Sequence, residues 1–353
     1  MTTTATGNHE AGNHEIGEGA SAVTPEEYAE TALAIEAEVG KVIVGQHALV
    51  RAVLVCLLCE GHALLEGVPG LGKTMLLKTL SDAVDLEFSR IQFTPDLMPA
   101  DIVGTQVLEQ RPDGSRDFQF RPGPVFASLV LADEINRATP KTQSALLEAM
   151  QERRVTVAGA TRPLPRPFLV MATQNPLEME GTYPLPEAQL DRFLLKIHVP
   201  FPSADDLEQV IGRTTGTEVA DVHAVADTAR LAAMVELTRE VPVPSHLVRH
   251  AVDLVVASHP DNETAPEPVR RYVRFGASPR GAQALILAAK AVALLDGRPS
   301  VAADDIRGVA RGALRHRLVM GYEAVADGVT ADDLVVAILD AVPTPAAGIR
   351  GAP

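Results

Sequence analysis

The stretch GVPGLGKT, from Gly67 to Thr74, fits the phosphate-binding pattern G-x-x-x-x-G-K-[S/T]. Its glycines let the backbone wrap closely around phosphate groups, and the helix that follows adds its positive N-terminal end. Lys73 would bring a positive charge to the β- and γ-phosphates, and the Thr74 hydroxyl can ligate Mg²⁺. The predicted nucleotide-binding residues of this loop are Gly67, Val68, Pro69, Gly70, Leu71, Gly72, Lys73 and Thr74.

Strand and helix patterns alternate on both sides of this loop. Helices are predicted from Thr24, over roughly Gln46 to Glu60, over Thr74–Val84 and over Pro140–Met150. Short apolar runs predict strands at His62–Leu65, Glu87–Phe93, Ser128–Ala132, Phe168–Thr173 and Phe193–Val199. Such alternation is typical of an α/β fold with a mainly parallel sheet.

The pattern divides the chain into four segments. We predict a disordered tail over 1–23, in which GNHE occurs twice, because its composition favours disorder over a metal site. An α/β domain with two hairpin-type inserts is predicted over 24–202, and a helical domain over 203–342. A flexible tail is predicted over 343–353.

Composition narrows the function classes. The formal net charge of −15 argues against a broad nucleic-acid surface, which relies on clustered Lys and Arg. No apolar run is long enough to span a bilayer, and no Lys or Arg precedes Lys41, so neither a membrane span nor a secretory signal is expected. With only two cysteines, Cys56 and Cys59, we predict a cytoplasmic location, and we expect both thiols to be buried on a helix.

Two adjacent acids follow an apolar run in VFASLVLADEINRATP, from Val125 to Pro140. If Ser128–Ala132 is a strand beside the strand that precedes the phosphate loop, Asp133 emerges near the magnesium position and holds the ion through water. Glu134 can then act as the base that activates a water molecule in line with the γ-phosphate. A polar strand end is the alternative for such a pair.

An amide follows the next apolar strand, in FLVMATQNP. Asn175 can position the attacking water and sense the γ-phosphate. Because Asn-Pro is also a good turn dipeptide, it can serve as a turn at the same time.

Two arginines are further candidates. In EAQLDRF, Asp191 and Arg192 form either a solvated ion pair or a site at which Arg192 reaches the γ-phosphate of a neighbouring subunit. In GASPRGAQAL, Ser278 is a good N-cap, and Arg280 stands at a helix start where a cation is unfavourable unless an anion lies nearby. The sequence does not decide whether Arg280 is simply an exposed residue at a helix start or lies near an anion such as a nucleotide phosphate.

The quoted motifs, together with GTYPLPEAQLDRF, resemble the AAA+ ATPases, and specifically the MoxR-type branch, over about residues 40 to 320. The resemblance implies a P-loop α/β domain followed by a small all-α lid, assembled into a hexameric ring. It implies that Gly67–Thr74 is Walker A, that Asp133 and Glu134 are Walker B, and that Asn175 is sensor 1.

The resemblance also implies that Arg192 is an arginine finger and Arg280 is sensor 2. The segment VIVGQ is similar to the stretch that flanks adenine, so Val44 and Gly45 are expected to contact the nucleotide. The resemblance leaves open whether Arg137 acts within its own subunit or between subunits. ATP and Mg²⁺ are the implied cofactors, with Thr74 and Asp133 as the metal-binding residues.

The MoxR-type relatives are chaperone-like ATPases that mature partner proteins or insert cofactors into them, and many of these partners carry a von Willebrand factor A domain. One alternative is the motor subunit of a metal chelatase. Another is a DNA-directed ring motor, which the acidic balance disfavours. A scaffold without hydrolysis is disfavoured by Glu134 and Asn175, and a GTPase by the lack of an N-K-x-D motif.

Overall fold

The first half of the chain alternates helices with strands, as its pattern predicts. The computed structural model describes residues 23–68, 70–112, 114–175, 181–216 and 220–345. The predicted N-terminal tail up to residue 22, Pro69, the Asp113 turn residue, Pro176 and the C-terminal tail beyond residue 345 lie outside the described residues. The elements of the first half are α1 (Pro25–Gly40), α2 (His47–Leu58), β1 (Ala63–Glu66), α3 (Lys73–Ala83), β2 (Phe88–Gln92), α4 (Pro99–Val103), β3 (Gly104–Gln110), β4 (Arg116–Pro122), β5 (Leu129–Asp133), α5 (Pro140–Glu152), β6 (Arg154–Val157), β7 (Ala160–Pro163), β8 (Leu169–Gln174), α6 (Glu187–Leu190) and β9 (Leu195–His198).

Five of these strands form one parallel sheet in the order β2-β5-β8-β1-β9. The expectation that the strand before Asp133 lies beside the P-loop strand is wrong, because β8 lies between β5 and β1. One strand, β8, therefore separates Asp133 from the phosphate loop, and Asn175, the residue that follows β8, lies between the two.

Both inserts are antiparallel hairpins, β3–β4 and β6–β7. The second turns through Ala158 and Gly159, both at positive φ, as a two-residue hairpin loop requires. At the base of the first, Gly123 lies so close to its surroundings that a Cβ there would be 2.2 Å from the Ile102 carbonyl oxygen. A side chain at that position would push the hairpin away from α4.

The second half is mainly helical. Its elements are α7 (Ala204–Thr215), α8 (Thr228–Glu240), α9 (Ser245–Val256), α10 (Glu267–Tyr272), β10 (Val273–Phe275), α11 (Pro279–Leu295), α12 (Ala303–Leu314), β11 (Val319–Met320), α13 (Tyr322–Ala326) and α14 (Ala331–Ala341). The two short strands pair as an antiparallel ribbon, which the expectation of an all-α lid did not include. The ribbon's two or three residues per strand are too few to leave a period-two pattern.

Helices α1 and α2 join the two halves. Thr24 caps α1 with a reciprocal hydrogen-bond pair to Glu27, as its position before Pro25 predicts. The buried Tyr28 hydroxyl on α1 lies 2.9 Å from the Thr238 hydroxyl on α8. Helix α2 packs against β9 on one side and against α8 and α11 on the other, and both Cys56 and Cys59 are buried there as predicted. Within the described part of the chain, none of the helices combines the length and apolarity that a bilayer crossing needs.

His62 closes the turn before β1 as a neutral, fully paired side chain. Its Nδ1 accepts a hydrogen bond from the Val170 N–H at 3.0 Å, so Nε2 carries the proton and donates to the Met150 carbonyl at 3.1 Å. Burial lowers the pKa of His62 to about 4. Because the unfolded chain binds this proton more readily, His62 costs stability as the pH falls below its ordinary pKa of 6.5.

We expect the His62→Gln variant to lose less stability than the wild type when the pH falls from 6.5 to 4. Glutamine keeps one acceptor and one donor but cannot bind a proton, and the difference should approach about 3 kcal/mol at the acid end. Urea unfolding at a series of pH values measures this difference. Parallel stability curves for the two proteins would contradict the assigned protonation state.

Candidate functional site

The phosphate loop and the acidic residues meet at one edge of the central sheet. Strands β1, β5 and β8 run parallel, so the residues that follow them emerge at the same edge. They line a cleft of about 470 Å³. The lining residues are Gly67, Gly70, Leu71, Gly72, Lys73, Thr74, Met75, Lys78, Arg90, Gln92, Asp133, Glu134, Thr173, Gln174 and Asn175.

The backbone of the loop has the geometry that phosphate binding needs. Gly70 and Gly72 have φ of 84° and 75°, a region that favours glycine, and α3 begins directly afterwards at Lys73. A Cβ on Gly67 would lie 2.9 Å from the Val199 carbonyl oxygen, so this position is also restricted to glycine. The loop therefore presents the N-terminus of α3 to the cleft.

Lys73 lies between the glycine turn and the two acids. Its Nζ donates to the Gly67 carbonyl at 2.7 Å. Burial lowers the pKa of Lys73, and the nearby carboxylates of Asp133 and Glu134 partly reverse that shift. The ammonium group is thus held at the floor of the cleft beside negative charge, where a phosphate can take over its hydrogen bonds.

Asp133 and Glu134 are each held by two side chains. Asp133 accepts from Thr173 Oγ1 at 2.7 Å and from Arg90 Nη2 at 2.6 Å. Glu134 Oε2 accepts from Gln92 Nε2 and from Arg137 Nη1, both at 2.9 Å. The two carboxylates therefore have different hydrogen-bond partners.

The backbone of Glu134 is left-handed, with φ of 57°, which is uncommon for a residue with a side chain. The Thr173 hydroxyl stabilises this conformation, because it accepts a hydrogen bond from the Glu134 N–H at 2.8 Å. Such a conformation at the end of a strand is typical of functional positions.

Three side chains that contact the two acids were not predicted from the sequence: Thr173, Arg90 and Gln92. Arg90 and Gln92 are two residues apart on β2, so they lie on one face of that strand and meet Asp133 and Glu134 of the neighbouring β5. A polar alternation at the end of β2 is the signal that could have indicated them.

The Thr173→Val variant is expected to lose both contacts to the acids while keeping the shape of the side chain. We expect a loss of about 1–3 kcal/mol in the free energy of unfolding, because the Glu134 N–H and the Asp133 carboxylate each lose a partner. We expect ATP hydrolysis to fall by about tenfold or more, since the base is no longer held in place. Thermal unfolding and steady-state ATPase assays measure both effects. Full ATPase activity in the folded variant would contradict the positioning role of Thr173.

Asn175 follows β8 directly and is buried, with 8% of its surface exposed. Since β8 lies between β1 and β5, Asn175 stands between the phosphate loop and the acids, where the sequence prediction needs it to be. Its role in positioning water stays a prediction.

The side chains at this edge fit Mg²⁺. Thr74 supplies a hydroxyl and Asp133 a carboxylate, and both line the cleft. Hard oxygen donors of this kind, few in number and beside a phosphate site, are what Mg²⁺ prefers.

Val44 and Gly45 lie near the phosphate loop but do not line the cleft. The neighbouring Gln46 donates to the Leu71 carbonyl at 3.4 Å. Gly45 has φ of 71° and lies against the Asp206 carboxylate of α7. Their predicted contact with adenine is untested.

Arg192 lies at the opposite end of the parallel strands, where β1 and β9 begin. The Leu194 N–H donates to the His62 carbonyl at 2.8 Å, which places this segment beside the beginning of β1. The four residues of β1 separate the two edges by roughly 13 Å at 3.3 Å per residue. Arg192 therefore does not reach the phosphate loop of its own chain.

Arg280 lies on the same side as Arg192. The two arginines line a second cavity, of about 250 Å³, together with Glu60, Arg153, Asp191 and Arg317. Arg280 is exposed and stands two residues after Ser278, the N-cap of α11. The structure thus brings Arg280 together with Arg192 and not with the phosphate loop of the same chain.

Comparisons with known proteins agree with this architecture. A profile described as "ATPase family associated with various cellular activities (AAA)" matches residues 62–195, and an "AAA lid domain" profile matches residues 267–338. Chaperone MoxR1 of Mycobacterium tuberculosis is 46% identical over 87% of this chain and 81% of its own length. Protein MoxR of Paracoccus denitrificans is 33% identical over 88% of this chain and 96% of its own. A crystal structure of a Cytophaga hutchinsonii protein has a TM-score of 0.85 and 41% identity, and the match covers 91% of this chain and 97% of that one.

Proposed function

The chain belongs to the MoxR-type AAA+ ATPases, and from this premise we propose that it hydrolyses ATP to remodel or mature partner proteins. The observation that carries the proposal is the single cleft that gathers Lys73, Thr74, Asp133, Glu134 and Asn175. A protein that only binds nucleotide would need the loop and the metal-binding residues but not a base such as Glu134.

The residues of the cleft divide the chemistry among them. Lys73 and the N-terminus of α3 bind the β- and γ-phosphates, and Thr74 and Asp133 hold Mg²⁺, which when bound neutralises phosphate charge. Glu134 accepts a proton from water as the water oxygen bonds to the γ-phosphorus and the bond to the ADP oxygen breaks. Asn175 orients that water.

We propose that the site is completed by a second copy of the chain in a ring, with a hexamer as the expected form. Arg192 and Arg280 lie at the opposite end of the strands from their own phosphate loop. The end that carries the arginines in one subunit therefore complements the end that carries the phosphate loop in another. A head-to-tail contact would bring the arginines of one subunit to the γ-phosphate held by the next. Arg137 donates to Glu134 Oε2, and we therefore propose that it acts on the nucleotide bound by its own subunit.

Partner proteins would be engaged through the β3–β4 hairpin. Leu108 and Phe118 are directly opposite each other on its two strands, and both are exposed. A projecting apolar pair of this kind fits an apolar segment of a client protein. The client class rests on the family alone; it includes proteins with a von Willebrand factor A domain, and maturation includes the insertion of a metal or cofactor. The proposed cytoplasmic location rests on the low cysteine content of the sequence.

Client binding is tested by affinity capture with the Glu134→Gln variant, which is expected to hold ATP without turnover. We expect a defined set of proteins to be captured with ATP and released with ADP. The Leu108→Ser/Phe118→Ser double variant, built on Glu134→Gln, should lose this set. Lys73→Ala serves as the control that cannot bind ATP, and recovery of the same proteins with it would contradict ATP-dependent client binding.

A further inference from the structure

A buried arginine of the lid, Arg317, holds the segment that carries Arg192. Its side chain is only 3% exposed. Nε donates to Asp191 Oδ1 at 2.8 Å, and Nη2 donates to the Phe193 and Asp191 carbonyls at 2.7 and 3.1 Å. Nη1 donates to the Leu194 carbonyl at 3.3 Å and to the carbonyl of Ala313.

These contacts use the whole hydrogen-bonding capacity of the guanidinium group. Arginine has five N–H donors, and five acceptors surround Arg317. Burial of an ion pair is costly unless every group is satisfied, so the set fixes one geometry and tolerates few others. In this way Arg317 holds Asp191 on one side of Arg192 and both Phe193 and Leu194 on the other.

The second carboxylate oxygen of Asp191 extends the connection to Arg280. Ser278 Oγ donates to Asp191 Oδ2 at 2.8 Å, and Ser278 Oγ itself accepts a hydrogen bond from the Arg280 N–H at 3.1 Å. One carboxylate thus joins the start of α11 to the segment before β9. Arg192 and Arg280 are each one or two residues from an atom of this junction.

Arg192 itself is only partly held. Its Nη1 donates to the Leu147 carbonyl at 2.7 Å, while its buried Nε has no hydrogen-bond partner among the described residues. The direction of its guanidinium group therefore depends on the backbone on either side, which Arg317 fixes.

We propose that Arg317 is a positioning residue that, through Asp191, locks Arg192 and Arg280 into one unit and presents them together to the nucleotide of the adjacent subunit. The inference rests on the proposed function, because it assigns the effect of Arg317 to a site in another chain. Arg317 thereby couples the lid to Arg192: a lid that leaves residues 191–194 would carry Arg280 away and release the backbone on either side of Arg192.

The test is subunit complementation with the Arg317→Met variant. We expect this variant to bind ATP with wild-type affinity, since its own phosphate loop is unchanged, but to hydrolyse ATP about 10²-fold more slowly because both arginines are misplaced. Glu134→Gln subunits have an intact Arg192 but no base. The ATPase rate of a 1:1 mixed ring should therefore rise well above the mean rate of the two separate preparations. The active sites are those in which an Arg317→Met subunit supplies the phosphate loop and an intact Glu134, and its Glu134→Gln neighbour supplies the two correctly placed arginines.

A second mixture separates the inference from the proposed function. Arg192→Ala mixed with Glu134→Gln should also regain hydrolysis if arginines act between subunits. If this mixture recovers activity and the Arg317→Met mixture does not, the role of Arg317 is overturned while the shared site stands. If neither recovers, the shared site itself fails.

Two further variants distinguish a specific effect of Arg317 from a general loss of stability. Arg315→Met removes another largely buried arginine, which pairs with Asp332 inside the lid, and should retain hydrolysis near the wild-type rate. Asp191→Asn keeps the shape of the junction but removes its charge, and should reproduce the complementation of Arg317→Met in a variant that folds. Wild-type hydrolysis in a homogeneous ring of either Arg317→Met or Asp191→Asn would overturn the inference.

Discussion

Replacing Glu134 with glutamine is expected to stop ATP turnover while ATP binding is retained. The amide keeps the hydrogen-bonding shape of the side chain but cannot take a proton from water, and a general base contributes about 10²–10⁴-fold to such a reaction. Lys73, Thr74 and Asp133, which hold the phosphates and the metal, are unchanged. The loss should therefore appear in kcat and not in the Kd for ATP.

Steady-state ATPase assays and equilibrium binding of a fluorescent ATP analogue measure the two quantities. Glu236→Gln, which removes an exposed carboxylate on α8, is the matched control and should leave both unchanged. Turnover by Glu134→Gln at the wild-type rate would remove Glu134 from its role as the base.

Replacing Arg192 with alanine is expected to have an effect of similar size for a different reason. An arginine that neutralises charge on the transferred phosphoryl group is worth about 10³–10⁵ in kcat. The residue lies roughly 13 Å from its own phosphate loop, by the length of β1, so ATP affinity of the isolated chain should not change.

Analytical ultracentrifugation with ATP shows whether the variant still assembles, and the ATPase rate is then compared at equal assembly. Arg154→Ala is the control, because it removes an arginine on the same side whose ion pair with Glu152 is exposed and contributes little. Normal hydrolysis by an assembled Arg192→Ala ring would contradict a finger supplied by the neighbour.

The local chemistry of the site could be predicted from the sequence, because it depends on short segments. The loop from Gly67 to Thr74 contains its own turn residues and its own helix start. The acids Asp133 and Glu134 and the amide Asn175 each directly follow an apolar run, and parallel strands bring such residues to one edge whatever their order.

The order of the strands could not be predicted in the same way. A buried strand is apolar on both faces, so its sequence does not indicate which strands lie beside it. The prediction that β5 lies next to β1 is therefore wrong, because β8 lies between them. The partners Thr173, Arg90 and Gln92 were missed for a related reason, since each meets an acid some 40 residues away.

The arginines show a second limit. Sequence spacing puts Arg280 at a helix start and Arg192 before a strand, but only the packing of the lid on residues 191–194 shows that the two lie on one side. Arg317, whose hydrogen bonds hold the lid against this segment, lies 126 residues after Asp191 in the sequence. The sequence around Arg317 does not distinguish it from the other arginines nearby.

We expect ATP hydrolysis to take place at sites shared between neighbouring copies of the chain. The most direct test is the ATPase rate per chain, measured from concentrations at which the protein is monomeric to concentrations at which it is fully assembled. We expect a rate near zero for the monomer, which rises with assembly to a plateau, and no rate at any concentration for Glu134→Gln. A rate per chain that is the same for monomer and assembly, or no hydrolysis by the assembled wild type, would contradict hydrolysis at shared sites.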